Sequence, residues 1–367
     1  MRFGLFCLMP WRDAAKPQKQ VFAEVLDQVR LVESMGFDIA WFAEHHFSNY
    51  CLCPSPLVLA AYCAARTEKI RLGAAVVVLP LYEPVRLLEE LALVDILSDG
   101  RLVTGVGSGY QDYEFERFRV PLADSKAMFG EVLDILELGL TQPEFAYEGR
   151  FFKQPRSAMC LRPVQRPMPP VYVAGIKEDA EIQRRVARSG YVPFGTAGWH
   201  PAESLLDFRA KYEAAWRAVG KDPATMPLAV QRHVFVVESR KDALEVADNI
   251  RYTGRVALSM RQKTSVLDGA MLREMAVQGE PSIDQILDNA IIGDVERCIE
   301  KAVREIRVLR PTHFSCFMQP GAMDQKRVLR SMELFASRVV PGIERELGTL
   351  DAIGSPVPAQ VPTALGA

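Results

Sequence analysis

The sequence has little net charge, few histidines and no long apolar run, and each shortage narrows the possible functions. With 44 Lys and Arg against 46 Asp and Glu, the formal net charge of the 367 residues is −2. We therefore expect neither nucleic-acid binding nor attraction to an anionic membrane surface. No segment reaches the roughly 18 consecutive apolar residues that cross a bilayer. Pro10 also interrupts the apolar N-terminus too early for a signal peptide, so we expect a cytoplasmic protein.

Cysteine is also sparse, with seven residues scattered through apolar segments. An odd number in this pattern favours reduced thiols over a disulfide framework. Cys51 and Cys53 are close together but have no further ligands nearby in the sequence, so we predict no metal site. Apolar residues make up 49% of the chain and charged residues 25%, which is typical of a globular protein with a large core.

Strand and helix patterns alternate regularly along the chain. Residues 70–78 form a continuous, β-branched run, which indicates a strand buried on both faces. Residues 18–35 have apolar side chains at helical spacing and end at Gly36. We predict strands at 2–8, 37–43, 70–78, 101–106, 170–174, 191–194, 228–237 and 312–318. We predict helices at 18–35, 56–65, from Pro84, at 126–140, 178–189, 202–219, 294–307 and 324–345.

Eight strands that alternate with helices predict an α/β protein with a (β/α)8 TIM barrel. A doubly wound parallel sheet is the alternative. Residues 141–169 and 238–292 interrupt the alternation, and we interpret them as insertions after strands four and seven. Residues 1–348 would then form one barrel domain. The remaining segment, 349–367, is rich in Pro, Ala and Gly, and we predict that it is disordered.

Glu44, His45 and His46 follow the second predicted strand directly. Two of the five histidines in the chain are therefore adjacent, at a strand end of the kind where parallel barrels place their chemistry. An imidazole exchanges protons near neutral pH, so the segment predicts an acid–base group. In the alternative interpretation, one ring fills the core and the other is solvated.

A glycine-rich segment, Gly105–Tyr110, follows the fourth predicted strand. Glycines let backbone amides approach a phosphate closely, although the segment lacks the spacing and the downstream acid of a dinucleotide fingerprint. Lys126 lies near the start of the next helix, and residues 173–177 lead from the fifth strand into a helix. Together these three segments predict a phosphate site. A tight turn and a solvated lysine would be the alternative.

The chain resembles the bacterial luciferase-like flavin monooxygenases from the first strand to about residue 345. Four stretches carry this resemblance: Glu44-His45-His46-Phe47, residues 73–80 with Pro84, Ser98-Asp99-Gly100-Arg101 with the glycine segment, and Met332-Glu333-Leu334-Phe335-Ala336.

The resemblance implies a two-component monooxygenase. Such an enzyme receives reduced FMN (FMNH2) from a separate NAD(P)H:flavin reductase. It inserts one oxygen atom of O2 into a small organic substrate through a 4a-hydroperoxyflavin. No second nucleotide site for reducing flavin in place is evident in the sequence, which agrees with a separate reductase. We also expect a homodimer.

The resemblance also assigns residues. His45 corresponds to the catalytic histidine, and we expect Glu44 to orient it. The flavin ring would rest on a cis peptide between Ala75 and Val76. The phosphate-binding segments correspond to Gly107, Ser108, Gly109, Tyr110, Lys126, Gly175 and Ile176. Luciferase has an arginine where this chain has Ser108 and a cysteine where it has Gly107. Phosphate would therefore depend more on backbone amides, the Ser108 hydroxyl and Lys126.

A substrate pocket is predicted from residues at or after strand ends, each of which could equally serve packing: Met9, Trp11, Tyr50 and Met318. His233 is a further candidate within the seventh predicted strand, where alternation turns either Arg232 or His233 inward and a core position is the favoured interpretation. The sequence does not identify the substrate. Two rival functions remain open, a deazaflavin-dependent oxidoreductase that transfers hydride without oxygen and a non-catalytic flavin-binding protein.

Overall fold

The computed structural model describes residues 1–353. Its strands are β1 (Arg2–Cys7), β2 (Ile39–Phe42), β3 (Arg71–Val78), β4 (Leu102–Gly107), β5 (Glu144–Glu148), β6 (Lys153–Ala158), β7 (Val171–Ala174), β8 (Val192–Thr196), β9 (Ala229–Val236), β10 (Leu267–Asp268), β11 (Met271–Leu272), β12 (Ile291–Gly293) and β13 (His313–Phe317). Its α-helices are α1 (Gln18–Ser34), α2 (Pro56–Ala64), α3 (Pro84–Leu97), α4 (Asp112–Phe118), α5 (Ser125–Thr141), α6 (Ala180–Ser189), α7 (Leu206–Ala218), α8 (Arg240–Arg261), α9 (Ile283–Asn289), α10 (Val295–Leu309), α11 (Gln325–Leu334) and α12 (Val340–Leu347).

Eight parallel strands close into a barrel. The order is β1, β2, β3, β4, β7, β8, β9 and β13, and β13 pairs again with β1 through Arg2 opposite His313 and Phe3 opposite Phe314. This closure confirms the predicted (β/α)8 barrel and excludes the doubly wound sheet, whose edges would stay open. The C-terminal end of β9 also pairs with β12.

The lower barrel is filled by side chains from alternate strand positions. Trp41 lies at the centre, with its ring 4.9 Å from Tyr172 and 5.2 Å from Phe194. A Cβ at Gly73 would collide with the Trp41 ring, so glycine at this position makes room for the largest side chain of the core. Above this layer Phe6, Ala75 and Ala174 are only partly buried, and they line the open mouth at the carboxyl ends of the strands.

The outer helices bury one face against the barrel. In α10, Cys298, Ala302 and Ile306 recur at helical spacing and are buried. The helix begins at Asp294, whose side chain accepts a 2.9 Å hydrogen bond from the Arg297 N–H. No helix within residues 1–353 is long and apolar enough to cross a membrane.

The two segments interpreted as insertions contain antiparallel hairpins. β5 pairs with β6 between α5 and β7, and β10 pairs with β11 between α8 and α10. These hairpins and the strand β12 were not predicted, and two further elements also differ from the sequence prediction. The segment 112–118, expected to be a loop, is the helix α4, and the last helix is interrupted by a π-helical turn at Phe335–Val339.

The start of the segment predicted to be disordered is ordered. Leu350–Ala352 forms a 3-10 turn, and the amino group of Met1 donates hydrogen bonds to the carbonyls of Leu350 and Ile353. These contacts tie the turn to the beginning of β1. The remainder of the predicted tail, 354–367, lies outside the described residues.

Candidate active site

His45 lies in the loop after β2, where its ring meets side chains that follow β4. His45 Nδ1 is 2.9 Å from Glu114 Oε1, and the same oxygen accepts a 2.8 Å hydrogen bond from the His46 N–H. The amide nitrogen of Gln111 lies 3.2 Å from His45 Nδ1. Because Glu114 engages Nδ1, the ring is held in one orientation and Nε2 remains available for proton transfer.

Glu44 contacts His46 instead of His45. Its Oε1 lies 3.0 Å from His46 Nε2, while its Oε2 accepts hydrogen bonds from the Val78 N–H at 3.2 Å and the Tyr82 hydroxyl at 2.9 Å. This corrects the expectation that Glu44 orients His45, because Glu114 occupies that position. Burial raises the pKa of Glu44, and its hydrogen bonds oppose the rise. Glu44 thus ties the loop after β2 to the end of β3.

The end of β3 is irregular. Its register with β4 shifts just after Ala74, and the peptide bond between Ala75 and Val76 is cis, as the resemblance implied. Two glycines of β4 accommodate this shape. A Cβ at Gly105 would collide with the Ala74 carbonyl, and one at Gly107 would lie 2.9 Å from Val76 Cγ2. The glycine pattern of the sequence is therefore explained in part by this close approach of β3.

Two of the expected phosphate-binding segments leave neighbouring strands. Val106 of β4 pairs with Val173 of β7, so the loops that begin at Gly107 and Gly175 start side by side. Gly109 and Gly175 both have left-handed backbone conformations, with φ of 75° and 73°. Gly175 is exposed, and a Cβ there would meet no atom within 4 Å. This loop thus leaves open space at the mouth.

The other expected phosphate ligands differ in burial. Ser108 is half-buried beside the mouth, and Ile176 is a buried residue. Lys126 is exposed in the first turn of α5 and has no ion-pair partner among residues 1–353. The arrangement suits an anion at the loops after β4 and β7, whereas the contribution of Lys126 stays a prediction.

Tyrosines surround the His45 ring. The ring centre of Tyr50 lies 4.6 Å from that of His45, and the ring centre of Tyr110 lies 6.0 Å away. The Gln111 amide donates a 3.1 Å hydrogen bond to the Tyr110 hydroxyl. Burial raises the pKa of both tyrosines. Gln111 Oε1 is buried without a partner within residues 1–353, which marks an unsatisfied acceptor beside the candidate catalytic ring.

The remaining candidates for the substrate pocket are placed unequally. Trp11 is half-buried, and its indole N–H donates to the Lys16 carbonyl at 2.8 Å. Met9 is buried, with its carbonyl accepting a 3.1 Å hydrogen bond from the Leu52 N–H. The contact of Met9 with Leu52 joins the loops after β1 and β2. Met318 directly follows β13 and is fully buried in the main core.

Strand alternation in β9 turns Arg232 outward and His233 inward. Arg232 forms a buried ion pair with Glu305, with Nε 2.8 Å from Oε2. The His233 ring stacks on Phe317 at a centroid distance of 4.7 Å. Burial, assisted by the charge of Arg232, lowers the pKa of His233 to about 3. His233 is therefore a neutral ring within the barrel.

Sequence reasoning missed Glu114, Gln111 and Tyr82. Glu114 and Gln111 belong to a stretch interpreted as a loop, and Tyr82 lies in the connection between β3 and α3. The one available signal was the position of a carboxylate soon after the fourth strand, at the end of the barrel where the chemistry was expected. Within residues 1–353, no group of three or more His, Cys, Asp or Glu side chains is arranged to hold a metal ion.

Comparison with known proteins identifies the family. The family model described as luciferase-like monooxygenase matches residues 1–310. The chain belongs to this family. Protein y4vJ of Sinorhizobium fredii is 38% identical over 353 residues, which cover 96% of this chain and 100% of y4vJ. The oxygenase component of the flavin-dependent trigonelline monooxygenase of Acinetobacter baylyi is 25% identical over 365 residues, covering 96% of this chain and 100% of that component.

Solved structures of other proteins share the barrel. Monooxygenase RslO1 from Streptomyces bottropensis has a TM-score of 0.81 at 24% identity, covering 93% of this chain and 99% of its own. The oxygenating constituent of the 3,6-diketocamphane monooxygenase of Pseudomonas putida was solved with FMN. It has a TM-score of 0.74 at 19% identity, covering 93% of this chain and 98% of its own. An F420-dependent secondary alcohol dehydrogenase has a TM-score of 0.73 at 17% identity, also covering 93% and 98%. At such identities these likenesses show the fold alone.

Proposed function

We propose that this protein is the oxygenase component of a two-component monooxygenase that uses FMNH2 and O2. It inserts one oxygen atom into a small organic substrate. The observation that carries the proposal is the position of His45, which Glu114 holds at 2.9 Å at the carboxyl end of the barrel. The irregular end of β3 is tied to the same loop through Glu44.

The residues at the mouth fit a flavin phosphate and ring. The loops at Gly107–Tyr110 and Gly175–Ile176 start from neighbouring strands, and exposed Gly175 leaves open space where a side chain would stand. Backbone amides of such loops suit a phosphate, and Lys126 would add a positive charge. Ala75 and Val76 are partly exposed at the end of β3 and would support the ring.

In the proposed reaction, reduced flavin supplies the electrons that activate O2. The chain itself contributes a held imidazole and the aromatic side chains that pack beside it. Nδ1 of His45 donates to Glu114, so Nε2 is the atom that gives or takes a proton at the substrate or the oxygen. The buried ring of Tyr50, 4.6 Å from the His45 ring, forms part of the surroundings that limit side reactions with water.

A separate NAD(P)H:flavin reductase would supply the reduced cofactor. Two names among the similar proteins support this division. One is described as an oxygenase component and the other as an oxygenating constituent. Hydride transfer is the rival function, because an F420-dependent dehydrogenase has the same fold. The third possibility, a non-catalytic flavin-binding protein, is disfavoured by the closed barrel and the Glu114–His45 contact.

An exposed apolar patch supports the proposed homodimer. It consists of α2 and α3 residues that are 38–70% exposed although α2 packs against α3: Val58, Tyr62, Leu93, Ile96 and Leu97. Clustered large apolar side chains of this kind mark association surfaces. A second copy of the chain, placed with its own patch against this one, would bury both symmetrically.

The test compares two reduced cofactors and measures oxygen use. Titration with FMNH2 and with reduced deazaflavin under anaerobic conditions should show preferential binding of FMNH2. Subsequent admission of O2 should consume oxygen, and a set of small organic compounds should reveal one whose mass increases by a single oxygen atom while peroxide falls. Tight binding of the deazaflavin with no oxygen incorporation would instead identify the hydride-transfer enzyme.

A further inference from the structure

Arg261 lies over Tyr110, one of the two tyrosines beside His45. It is the last residue of α8, and its guanidinium carbon is 4.5 Å from the centre of the Tyr110 ring. Tyr110 in turn lies beside His45. Two residues beyond the end of α8, Lys263 Nζ forms an exposed ion pair with Asp112 Oδ2 at 3.0 Å. Arg261 belongs to the helix after β9, whereas Tyr110 follows β4. The guanidinium of Arg261 therefore extends across the mouth of the barrel.

The guanidinium of Arg261 has no acidic partner in the part of the chain that the structure describes. Two arginines earlier on the same helix differ in this respect. Arg251 pairs with Asp248 at 2.6 Å, and Arg255 pairs with Glu274 and Glu280. An arginine keeps its charge and presents five N–H donors in a plane. Arg261 thus offers donors that the protein itself leaves unused, on a side chain supported by an aromatic face.

The positive charge of Arg261 acts on both tyrosines beside His45. Burial raises the pKa of Tyr50 and Tyr110, and the positive charge of Arg261 opposes the rise at both phenols. The charge is therefore close to the hydroxyl groups of two residues that border His45. A ligand bound beside His45 would therefore experience the positive electrostatic potential of Arg261.

We propose that Arg261 binds an anionic group of the substrate, a carboxylate or a sulfonate, while the reacting part of the substrate lies toward His45. The proposal rests on the function proposed above and names its substrate class. A planar guanidinium, here with its carbon 4.5 Å from the Tyr110 ring centre, suits a two-point contact with an oxyanion. The flavin phosphate is the other possible source of an oxyanion, and the experiment separates the two.

The first experiment measures modification of Arg261 by phenylglyoxal, followed by peptide mass spectrometry. Acetate, benzoate and methanesulfonate are each added, with benzamide as the neutral match to benzoate. We expect at least one of the anions to slow labelling of Arg261 about fivefold or more. Benzamide should have no effect, and labelling of Arg30, exposed on α1, should not change. If none of the anions slows labelling, the proposal is wrong.

The same measurement with FMN and riboflavin tests the competing source. If Arg261 binds substrate, FMN and riboflavin should affect its labelling equally. Protection by FMN alone would assign Arg261 to the cofactor phosphate and overturn the proposal. FMNH2 binding is measured separately, so a protein that binds benzoate but no flavin would contradict the proposed function and leave the anion subsite intact.

A matched pair of variants completes the test. Arg261→Gln should weaken binding of the protective anion about tenfold or more, the loss expected for a charge-assisted contact. Lys263→Gln removes a neighbouring charge that is already paired with Asp112 and should change the affinity less than twofold. Equal weakening in both variants would show that general positive charge, and not a contact with Arg261, attracts the anion.

Discussion

Glu114 and His45 follow different barrel strands, β4 and β2, and their side chains meet with Glu114 Oε1 2.9 Å from His45 Nδ1. The two residues are 69 positions apart in the chain. The same carboxylate oxygen receives the N–H of His46, so one side chain fixes both the loop and the ring. This contact separates the role of His45 from that of its neighbour, whose ring is held by Glu44.

Replacement of His45 by Ala should lower oxygenation of substrate by about 10²–10⁴, the usual contribution of a general acid–base group. The fold and FMNH2 binding should remain, because the ring is partly exposed at the mouth. Reduced flavin would still react with O2, so released peroxide should increase as product decreases. Parallel assays of product and peroxide in single-turnover experiments measure both.

The matched control for this change is His46→Ala. His46 is buried against Glu44 and Phe118, so its loss should lower the melting temperature more than the rate per folded molecule. A larger loss of rate in His46→Ala than in His45→Ala would transfer the acid–base role to His46.

Replacement of Glu114 by Gln should act through His45. The amide keeps the shape of the side chain but places a neutral group against His45 Nδ1, so we expect the rate of substrate oxygenation to fall about 10-fold or more while FMNH2 affinity stays unchanged. Glu44→Gln, which touches His46 instead, should leave the rate per folded molecule unchanged. A wild-type rate in Glu114→Gln would reduce Glu114 to a structural contact.

Replacement of Lys126 by Ala should weaken FMNH2 binding by about 1–3 kcal/mol, the scale of a hydrogen bond to a charged group. Reduced riboflavin, which lacks the phosphate, should bind equally well to both proteins. Lys19→Ala is a close control, because Lys19 is also an exposed second residue of a 17-residue helix. Equilibrium dialysis measures both ligands, and equal affinity of wild type and Lys126→Ala for FMNH2 would remove Lys126 from the site.

His313 should make the stability of the fold depend on pH. Its ring is buried between the Tyr172 hydroxyl and Thr312 Oγ1, each 3.0 Å away, and burial, assisted by the charge of Arg71, lowers its pKa to about 3. The unfolded chain takes up a proton near pH 6.5 and the folded chain does not. The stabilisation is therefore present above pH 6.5 and is lost as pH falls toward 3, by up to about 1.4 kcal/mol per pH unit.

Urea unfolding of wild type and His313→Gln at pH 7, 6 and 5 measures this effect. The variant should be less stable at pH 7 because it loses ring contacts, but its stability should decline less steeply with falling pH. Parallel curves for the two proteins would show that His313 does not titrate differently in the folded and unfolded states.

Replacement of Leu97 by Asp should dissociate the proposed homodimer. Leu97 is 58% exposed within the patch on α2 and α3, and a buried, unpaired carboxylate at an interface is costly. Leu206→Asp, at a residue 42% exposed on another helix, should leave the assembly unchanged. Sedimentation velocity measures the mass. A wild-type protein that sediments as a monomer would contradict the prediction directly.

Much of the site was accessible from the sequence because it follows strand ends. Hydrophobic runs located β2, β3 and β4. His45 and the glycine segment lie at or just after the ends of β2 and β4, and in a parallel barrel these ends meet at the mouth. The sequence did not show why positions 105 and 107 must be glycine. Their fit against Ala74 and Val76 depends on two strands approaching in space.

The partner of His45 was not predictable in the same way. Adjacency in sequence suggested Glu44, whose carboxylate instead reaches back to Val78 and Tyr82. Glu114 is distant along the chain and lies on α4, a helix of seven residues that is too short to show a clear periodicity.

The sequence by itself determined the barrel, its strand ends and the family, because apolar periodicity and local motifs are properties of neighbouring residues. Tertiary structure alone decided which carboxylate holds which histidine, that Arg232 points outward while His233 points inward, and that Arg261 lies over Tyr110. Each of these is set by the closure of eight strands into one ring, which brings loops far apart in the chain to a common mouth. Side-chain pairing there depends on distances in space, for which sequence separation is no guide.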